Sequence, residues 1–479
     1  MPSPVLPALR QALPMLSLLL AACAGGPALP PARPVAELAP AQWQAPLPHG
    51  GQPAQLARWW QSFDDPALAR VVEAAQAASP TVAQARSRIA AAQVQRTGAN
   101  ATLLPRLDGT VSATRGISDP VTFQAPATTV QAGLQASWEA DVFGRLRDDR
   151  SAADERLLGA RAGWHEARVS VAAEAATSWF SLRTCGAIEQ VAAADAASRA
   201  ETARLTRLAA DAGFQAPATA ALAEASAAQG RMQLEQQRAR CTSERKALVA
   251  LTGIAEDTLA AWARDTHALP APPNLEALPA RVLAQRPDVY SAERNLLAAA
   301  ADVGSADASR FPRLTLTGNV SRARFSSGSV DMTLNTWSLG PLAVTLPIFD
   351  GGVIAANRDA ARVRYDEALL AYQARVRQAV REIEEALVNL ESTRLREADA
   401  QRAVQGFRAS LAAAESRWRT GLGSLIELED QRRQALAAQN ALVLLQQERA
   451  AALVALYRAA GGGWPPDDAL ATAPIPETR

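Results

Sequence analysis

The sequence predicts a mixed fold that occurs twice: a pair of membrane-type β-strands followed by a very long helical hairpin. Three observations predict it. The chain of 479 residues repeats itself, "ATLLPRLDGTVSATRG" (101–116) matching "ASRFPRLTLTGNVSRAR" (308–324) and "EADVFGRLRDDRSAADERL" (139–157) matching "TLPIFDGGVIAANRDAARV" (345–363). The landmarks Pro105/Pro312, Phe143/Phe349 and Gly213/Gly421 are offset by 207, 206 and 208 residues, which marks a domain-scale duplication. Proline is absent from Gly144 to Ala212 and from Gly352 to Thr420, where Ala, Arg, Glu, Gln and Leu dominate. Finally, four short segments alternate apolar and polar residues with period two.

In chain order, residues 1–22 read as a signal peptide: one charge, Arg10, then an apolar stretch too short to span a bilayer. It ends in Leu20-Ala21-Ala22-Cys23, the pattern of a bacterial lipobox, so Cys23 is the expected lipid attachment point. Several acyl chains on one residue anchor far better than one. Ala24, where inner-membrane retention usually has Asp, favours the outer membrane. Residues 23–58, rich in Pro and Ala, form the lipidated N-terminus and a tether. Trp59 and Trp60 open the first repeat, 59–264, as packing residues.

Each repeat starts with an Ala-rich helical stretch, 66–103 or 288–310, closed by Pro105 or Pro312. A β-hairpin follows, about 105–142 and about 312–348. Val130, Ala132, Leu134, Ala136 and Trp138 alternate with Gln131, Gly133, Gln135, Ser137 and Glu139; Leu314, Leu316 and Val320 alternate with Thr315, Thr317, Asn319 and Ser321. The last segment slips phase: Trp337 and Leu339 share one face, Leu342, Val344, Leu346 and Ile348 the other. Pro341 sits at the slip and predicts a bulge or kink.

The proline-free stretches predict helices of about 100 Å, turning at tips near Gly213 and Gly421 and returning as 217–252 and 424–459. Cys185 and Cys241 lie equally far before and after Gly213, so antiparallel helices bring them to one height, as a bridge or as two buried thiols. A Pro-rich connector, 265–287, joins the first repeat to the second, 288–464; 465–479 is a C-terminal tail.

Four strands cannot close a barrel, and an open sheet in lipid leaves edge groups unsatisfied. Closure requires other copies: two would supply eight strands and a filled interior, three would supply twelve and an open lumen.

The stretches "WWQSFDDPAL" (59–68), "LLPRL" (103–107), "WEADVFGR" (138–145), "QRPDVYSAERNL" (285–296), "LPIFDGG" (346–352) and "ALYRAAGGGW" (455–464) occur together and in order. On them the chain resembles the outer-membrane efflux factors, the TolC-like family, in its NodT-type lipoprotein branch. The resemblance implies a homotrimer with a twelve-stranded outer-membrane barrel continued by a twelve-helix periplasmic tunnel. It implies three further partners: outer-membrane lipid, a periplasmic adaptor docking at the helical tips, and an inner-membrane transporter, commonly of the RND class. The tips carry Arg207 and Gly213, and Arg417, Gly421 and Gly423, as adaptor-docking candidates; their plainer reading is a helix–helix connection. The family's acid-and-base gate falls on Glu429 and Arg432, with Leu425 as an apolar ring one turn earlier. These residues share a helix face by spacing, and either ring a narrow lumen or form a solvated face with internal ion pairs.

Forty-nine basic against 48 acidic residues give nothing to attract nucleic acid. His49, His165 and His267 are scattered, with no zinc spacing, phosphate loop or nucleophile elbow. No enzyme and no cofactor beyond the lipid on Cys23 is expected. The favoured function is passive conduction of small molecules such as drugs. The alternatives are the duct of a type I protein-secretion system and an envelope-spanning coiled-coil scaffold.

Overall fold

Aspartate and proline set where the helices begin. The computed structural model describes residues 33–45, 60, 63, 65–117, 126–264, 279–328 and 330–464; Cys23, the signal peptide, Trp59, most of the tether and connector, and the tail lie outside them. After a single turn, α1 (Val35–Leu38), Asp65 caps α2 (Pro66–Ala78), its Oδ1 accepting from the Ala67 and Leu68 amides at 3.0 Å. The single helical stretch expected for 66–103 is two helices. Ser79 is extended (φ −69°, ψ 121°) and Pro80 starts α3 (Pro80–Thr102), because a proline has no N–H to continue α2 and forbids helix in the residue before it.

Then come β1 (Arg106–Gly116), β2 (Ala127–Ala140), α4 (Arg145–Asp211), α5 (Pro217–Thr252), α6 (Glu256–Trp262), α7 (Pro279–Ala284) and α8 (Pro287–Ala308). The second repeat supplies β3 (Arg313–Ser327), β4 (Val330–Thr345), α9 (Val353–Arg419) and α10 (Leu425–Ala459). The chain is mostly helical with one antiparallel sheet in the order β1-β2-β3-β4, the fold class read from the sequence.

Both 67-residue helices start and stop by the same devices. Asp141 accepts from the amides of Leu146 (3.1 Å) and Arg147 (2.9 Å); Asp350 accepts from Gly352 (2.9 Å) and Ile354 (2.6 Å). Those backbone bonds hold the Asp350 carboxyl below the usual range. The repeated "DVFG" and "FDGG" stretches are thus helix starts. At the far ends Phe214 N–H reaches Ala209 O and Leu422 N–H reaches Arg417 O, each at 2.8 Å. Gly213 (φ +77°) and Gly421 (φ +76°) supply the left-handed residue that this helix stop requires.

The described residues divide into two compact units, one drawn from 90–159 and 292–372, the other from 34–89, 160–291 and 373–464. The first holds the sheet and adjoining helix segments. These are tied by Arg96–Asp154 (2.5 Å), Arg294–Glu155 (3.1 Å) and an Arg156–Asp302 pair. Phe143 stacks on Phe311 at 4.9 Å, and Tyr372 is buried, its hydroxyl pushed up to about 12 by burial and by Glu293. The second unit packs helix on helix. Trp179, fully buried, donates to Asp65 Oδ2 at 2.9 Å, while Trp60 lies 4.5 Å from the Tyr457 ring. Ala172, Ala175, Ala176 and Ala379 are wholly buried, the small contacts that let long helices approach closely.

Candidate functional site

The pairing register sorts the strand side chains into two faces. Leu107 and Val111 of β1 align with Ala136 and Ala132 of β2; Leu134 and Trp138 align with Val320 and Leu316 of β3; these meet Trp337 and Leu342 of β4. This face is apolar and open, with Val111 81% and Trp337 77% exposed. The other carries Thr110, Ser112, Gln131, Gln135, Ser137, Thr315, Asn319, Ser321 and Thr336, cross-linked by Gln131 Nε2 donating to Ser321 Oγ (3.0 Å) and by the Ser321–Thr336 hydroxyl pair (2.8 Å). Apolar outside and polar inside is the pattern of a strand with lipid on one side and water on the other.

The phase slip at Pro341 is absorbed. Leu339 pairs with Gly318 and Leu342 with Leu316, so Gly340 and Pro341, joined by a cis peptide, stand opposite the single Thr317. The sequence set Leu339 and Leu342 on opposite faces. The bulge inserts one residue and returns both to the apolar face. β1 and β4 are the sheet's outer strands, and among the described residues neither outer edge is paired.

Near the tips, Leu425, Glu429 and Arg432 do share one face of α10, but that face is turned into the helix packing. Leu425 is 5% and Arg432 3% exposed. Within the single chain these side chains lie in the helix packing, and Glu429 and Arg432 form an internal ion pair. The reason is Arg199 of α4, which the sequence reading did not single out. It donates to Glu429 Oε2 at 3.1 Å and Asp195 Oδ2 at 2.7 Å, and Glu429 also accepts from Ser226 (2.9 Å) and Arg432 (2.5 Å). Arg432 reaches on to Ser198 (3.0 Å) and Thr202 (3.2 Å). The acid and base clamp α10 to α4 and α5. Their signal was present in the i, i+4 spacing of Asp195 and Arg199 on a helix otherwise rich in alanine.

The tips themselves are open. Arg207 donates to Glu224 (2.6 Å) and lies 3.3 Å from Asp211; Arg417 pairs with Glu427. Around Gly213 and Gly421 stand Phe214 (84% exposed) and Leu422 (81%). At Gly423 an added Cβ would lie 3.2 Å from the Arg417 Cβ, so the turn there is tight.

Farther along the hairpin Cys185 and Cys241 are joined by a disulfide, Cα atoms 5.4 Å apart. A cavity of about 710 Å³ lies beside it, lined by Arg183, Arg245, Glu397 and Arg449 among others. Within the chain Arg449 pairs with Glu397 at 2.7 Å and Arg183 with Asp65 at 3.2 Å. A second charged cluster surrounds Arg286, which contacts Asp288 and Glu382 at 2.7 Å and the Ala459 carbonyl at 2.8 Å. Burial pushes Asp288 up, but Arg286 and Arg375 outweigh it and hold it low; neighbouring Glu166 is raised by burial and by Asp288. No cluster of His, Cys, Asp or Glu able to hold a metal occurs among the described residues, nor any helix long and apolar enough to cross a membrane.

Residues 71–254 and 278–462 match the protein family described as outer membrane efflux protein. Nodulation protein T of Rhizobium leguminosarum bv. viciae is 27% identical over 436 residues, spanning 90% of this chain and 89% of that one. The solvent efflux pump outer membrane protein SrpC of Pseudomonas putida is 29% identical over 459 residues, spanning 90% and 94%. The crystal structure of the Campylobacter jejuni CmeC outer membrane channel superposes with a TM-score of 0.80 at 25% identity, covering 92% of this chain and 94% of that one.

Proposed function

The chain belongs to the outer membrane efflux protein family, and from that premise we propose that three copies close the sheet into one barrel through which small molecules leave the cell. The observation that carries the reading is the four-stranded sheet: one apolar exposed face, one polar face, and two unpaired outer edges. In a bilayer such edges must be satisfied by other copies. Three copies give twelve strands, enough for a water-filled lumen lined by Gln131, Gln135, Asn319 and their neighbours. The chain is an outer-membrane component of an efflux system, with its helices on the periplasmic side.

In this reading Cys23 carries the lipid anchor. The tips, with Phe214 and Leu422 beside Arg207 and Arg417, receive a periplasmic adaptor, and an inner-membrane transporter supplies the energy. The duct itself does no covalent chemistry. Small molecules such as drugs and solvents are the proposed cargo, solvents being named for the pump component SrpC to which the chain is similar.

The test has two arms. Deletion of the chain is expected to sensitise cells to such compounds and complementation to restore resistance. The purified protein in planar bilayers is expected to give discrete conductance steps. Unchanged susceptibility together with a defect in protein export would favour a secretion duct. A protein that never conducts, even with its tips removed, would favour a scaffold.

A further inference from the structure

The apolar face of the sheet stops before the strands do. On β3 and β4 its last apolar pair is Val320 opposite Trp337; the next positions on that face are Arg322 opposite Asn335, then Arg324 opposite Thr333. On β1 the same face runs from Leu107 through Val111 to Arg115, opposite Thr128. The other face changes the opposite way: Phe325 pairs with Met332 and Ala323 with Leu334. On β3 and β4 the two faces thus exchange character beyond Val320, whereas on β1 and β2 the apolar face continues through Ala113 and Val130 as far as Arg115 and Thr128; this staggered level marks where contact with hydrocarbon ends. Just beyond it, on the lipid-facing side, stand three exposed guanidinium side chains, Arg115, Arg322 and Arg324.

This level lies at the hairpin ends, away from the helices, because β1 and β3 begin where α3 and α8 end. Arg324 is engaged by Asp331 at 3.0 and 2.5 Å. Among the described residues of this rim Asp331 is the one acid, and neither Arg115 nor Arg322 has a carboxylate partner. Two residues along a strand advance about 7 Å, and two strands across span about 10 Å. Through Thr128 and Ser326, Arg115 stands two residues beyond Arg324 and four beyond Arg322, so the three positions span about 14 Å along the strands and about 10 Å across, a patch that a headgroup with two phosphates can bridge. Guanidinium binds phosphate through paired N–H donors, and an Arg at the edge of a lipid-facing band costs little compared with one at the midplane.

We propose that Arg115, Arg322 and Arg324 bind the phosphorylated headgroup of the outer-leaflet lipid, fixing the depth of the sheet in the membrane. The proposal rests on the sheet lying in the outer membrane with its hairpin ends outward. The test reads lipid binding alone, so its failure leaves the efflux reading intact.

The experiment is native mass spectrometry of the full, detergent-solubilised protein titrated with bis-phosphorylated lipid A. Saturable binding is expected, with dephosphorylated lipid A and phosphatidylcholine binding far less and inorganic phosphate failing to compete. Combined Arg115→Gln, Arg322→Gln and Arg324→Gln should weaken binding at least about tenfold, since each basic residue near an anionic lipid surface contributes roughly fivefold. The matching Lys variants should retain most of it. Arg106→Gln with Arg313→Gln, at the other end of the strands, should change nothing. If the triple variant does not assemble, Arg322→Gln alone, which leaves the Arg324–Asp331 pair in place, should still lose several-fold. Equal lipid A binding by the Gln variants, equal binding of the dephosphorylated lipid, or displacement by free phosphate overturns the proposal.

Discussion

Arg199 of α4 and Glu429 of α10 meet at 3.1 Å, and both side chains are largely buried, 7% and 16% exposed. The carboxylate also serves Arg432 and Ser226, so one acid joins three helices. Removing one partner of a buried pair leaves the other charge uncompensated, at about 3–5 kcal/mol. Glu429→Ala is therefore expected to speed amide hydrogen exchange in residues 196–206 and 425–435 while leaving the strands protected. Wild-type protection there would mean that the alanine packing alone holds the tips.

The two hairpins are fastened differently at one height. Cys185 and Cys241 correspond, at the repeat offset of the tips, to Thr393 and Arg449. The first hairpin is closed covalently. The second is closed by Arg449–Glu397 at 2.7 Å and Arg396–Glu448 at 2.5 Å, the latter exposed. Exposed pairs contribute about 0–1 kcal/mol, whereas cross-linking residues 56 apart contributes about 4 kcal/mol on the loop-entropy account. Cys185→Ser, Cys241→Ser and the double variant should lower the thermal midpoint by the same amount. Arg396→Ala should barely move it. Unequal single variants would show that packing at one sulfur, not the bond, carries the effect.

Much of this was legible in the sequence for a physical reason. Helix ends are local: Pro217, Gly213 and Gly421 act on their own backbone, so the return helix 217–252 could be bounded without knowing its neighbours. Period-two patterns fix a strand's faces in the same way. What depends on a partner far along the chain was not legible. Equal spacing of the cysteines about Gly213 set their height but not their orientation toward the seam. Leu425, Glu429 and Arg432 were correctly placed on one helix face, yet which way it turns depends on Arg199, 230 residues away. Likewise the slip at Pro341 appeared as two opposed faces, because a bulge is defined by the facing strand and Thr317 lies on that strand.

The cluster near Arg286 makes a pH prediction with two signs. Glu166 has its folded pKa raised, first by burial and then by Asp288, against the pull of Arg375, Arg286 and Arg458. Its charged form is disfavoured in the fold, so stability falls as pH rises past the unfolded value and returns on acidification. Asp288 is held low; it contributes stability above its unfolded pKa that is lost as pH falls through its folded value. Glu166→Gln should raise the thermal midpoint at about pH 7.5 and leave it unchanged near pH 4, where free Glu is already largely protonated. Asp288→Asn should lower the midpoint at about pH 7.5. A Glu166→Gln variant that is less stable at neutral pH would mean the carboxylate is needed by the three arginines.

Adjacent residues on β2 test the lumen. Leu134 belongs to the exposed apolar face and Gln135 to the polar one, and they pair with Val320 and Asn319 respectively. Arginine on a lipid-facing strand position costs about 2–4 kcal/mol near the midplane, whereas arginine in a water-filled lumen costs little and adds positive charge to the path. Leu134→Arg should reduce the assembled protein recovered in the outer-membrane fraction. Gln135→Arg should assemble normally and shift the reversal potential of single channels toward anions, because in the proposed trimer each copy adds a cation to one ring. The reversed result, Leu134→Arg assembling and Gln135→Arg not, would invert the two faces and put the polar one against something other than water. Equal assembly with unchanged selectivity would remove the sheet from the conduction path.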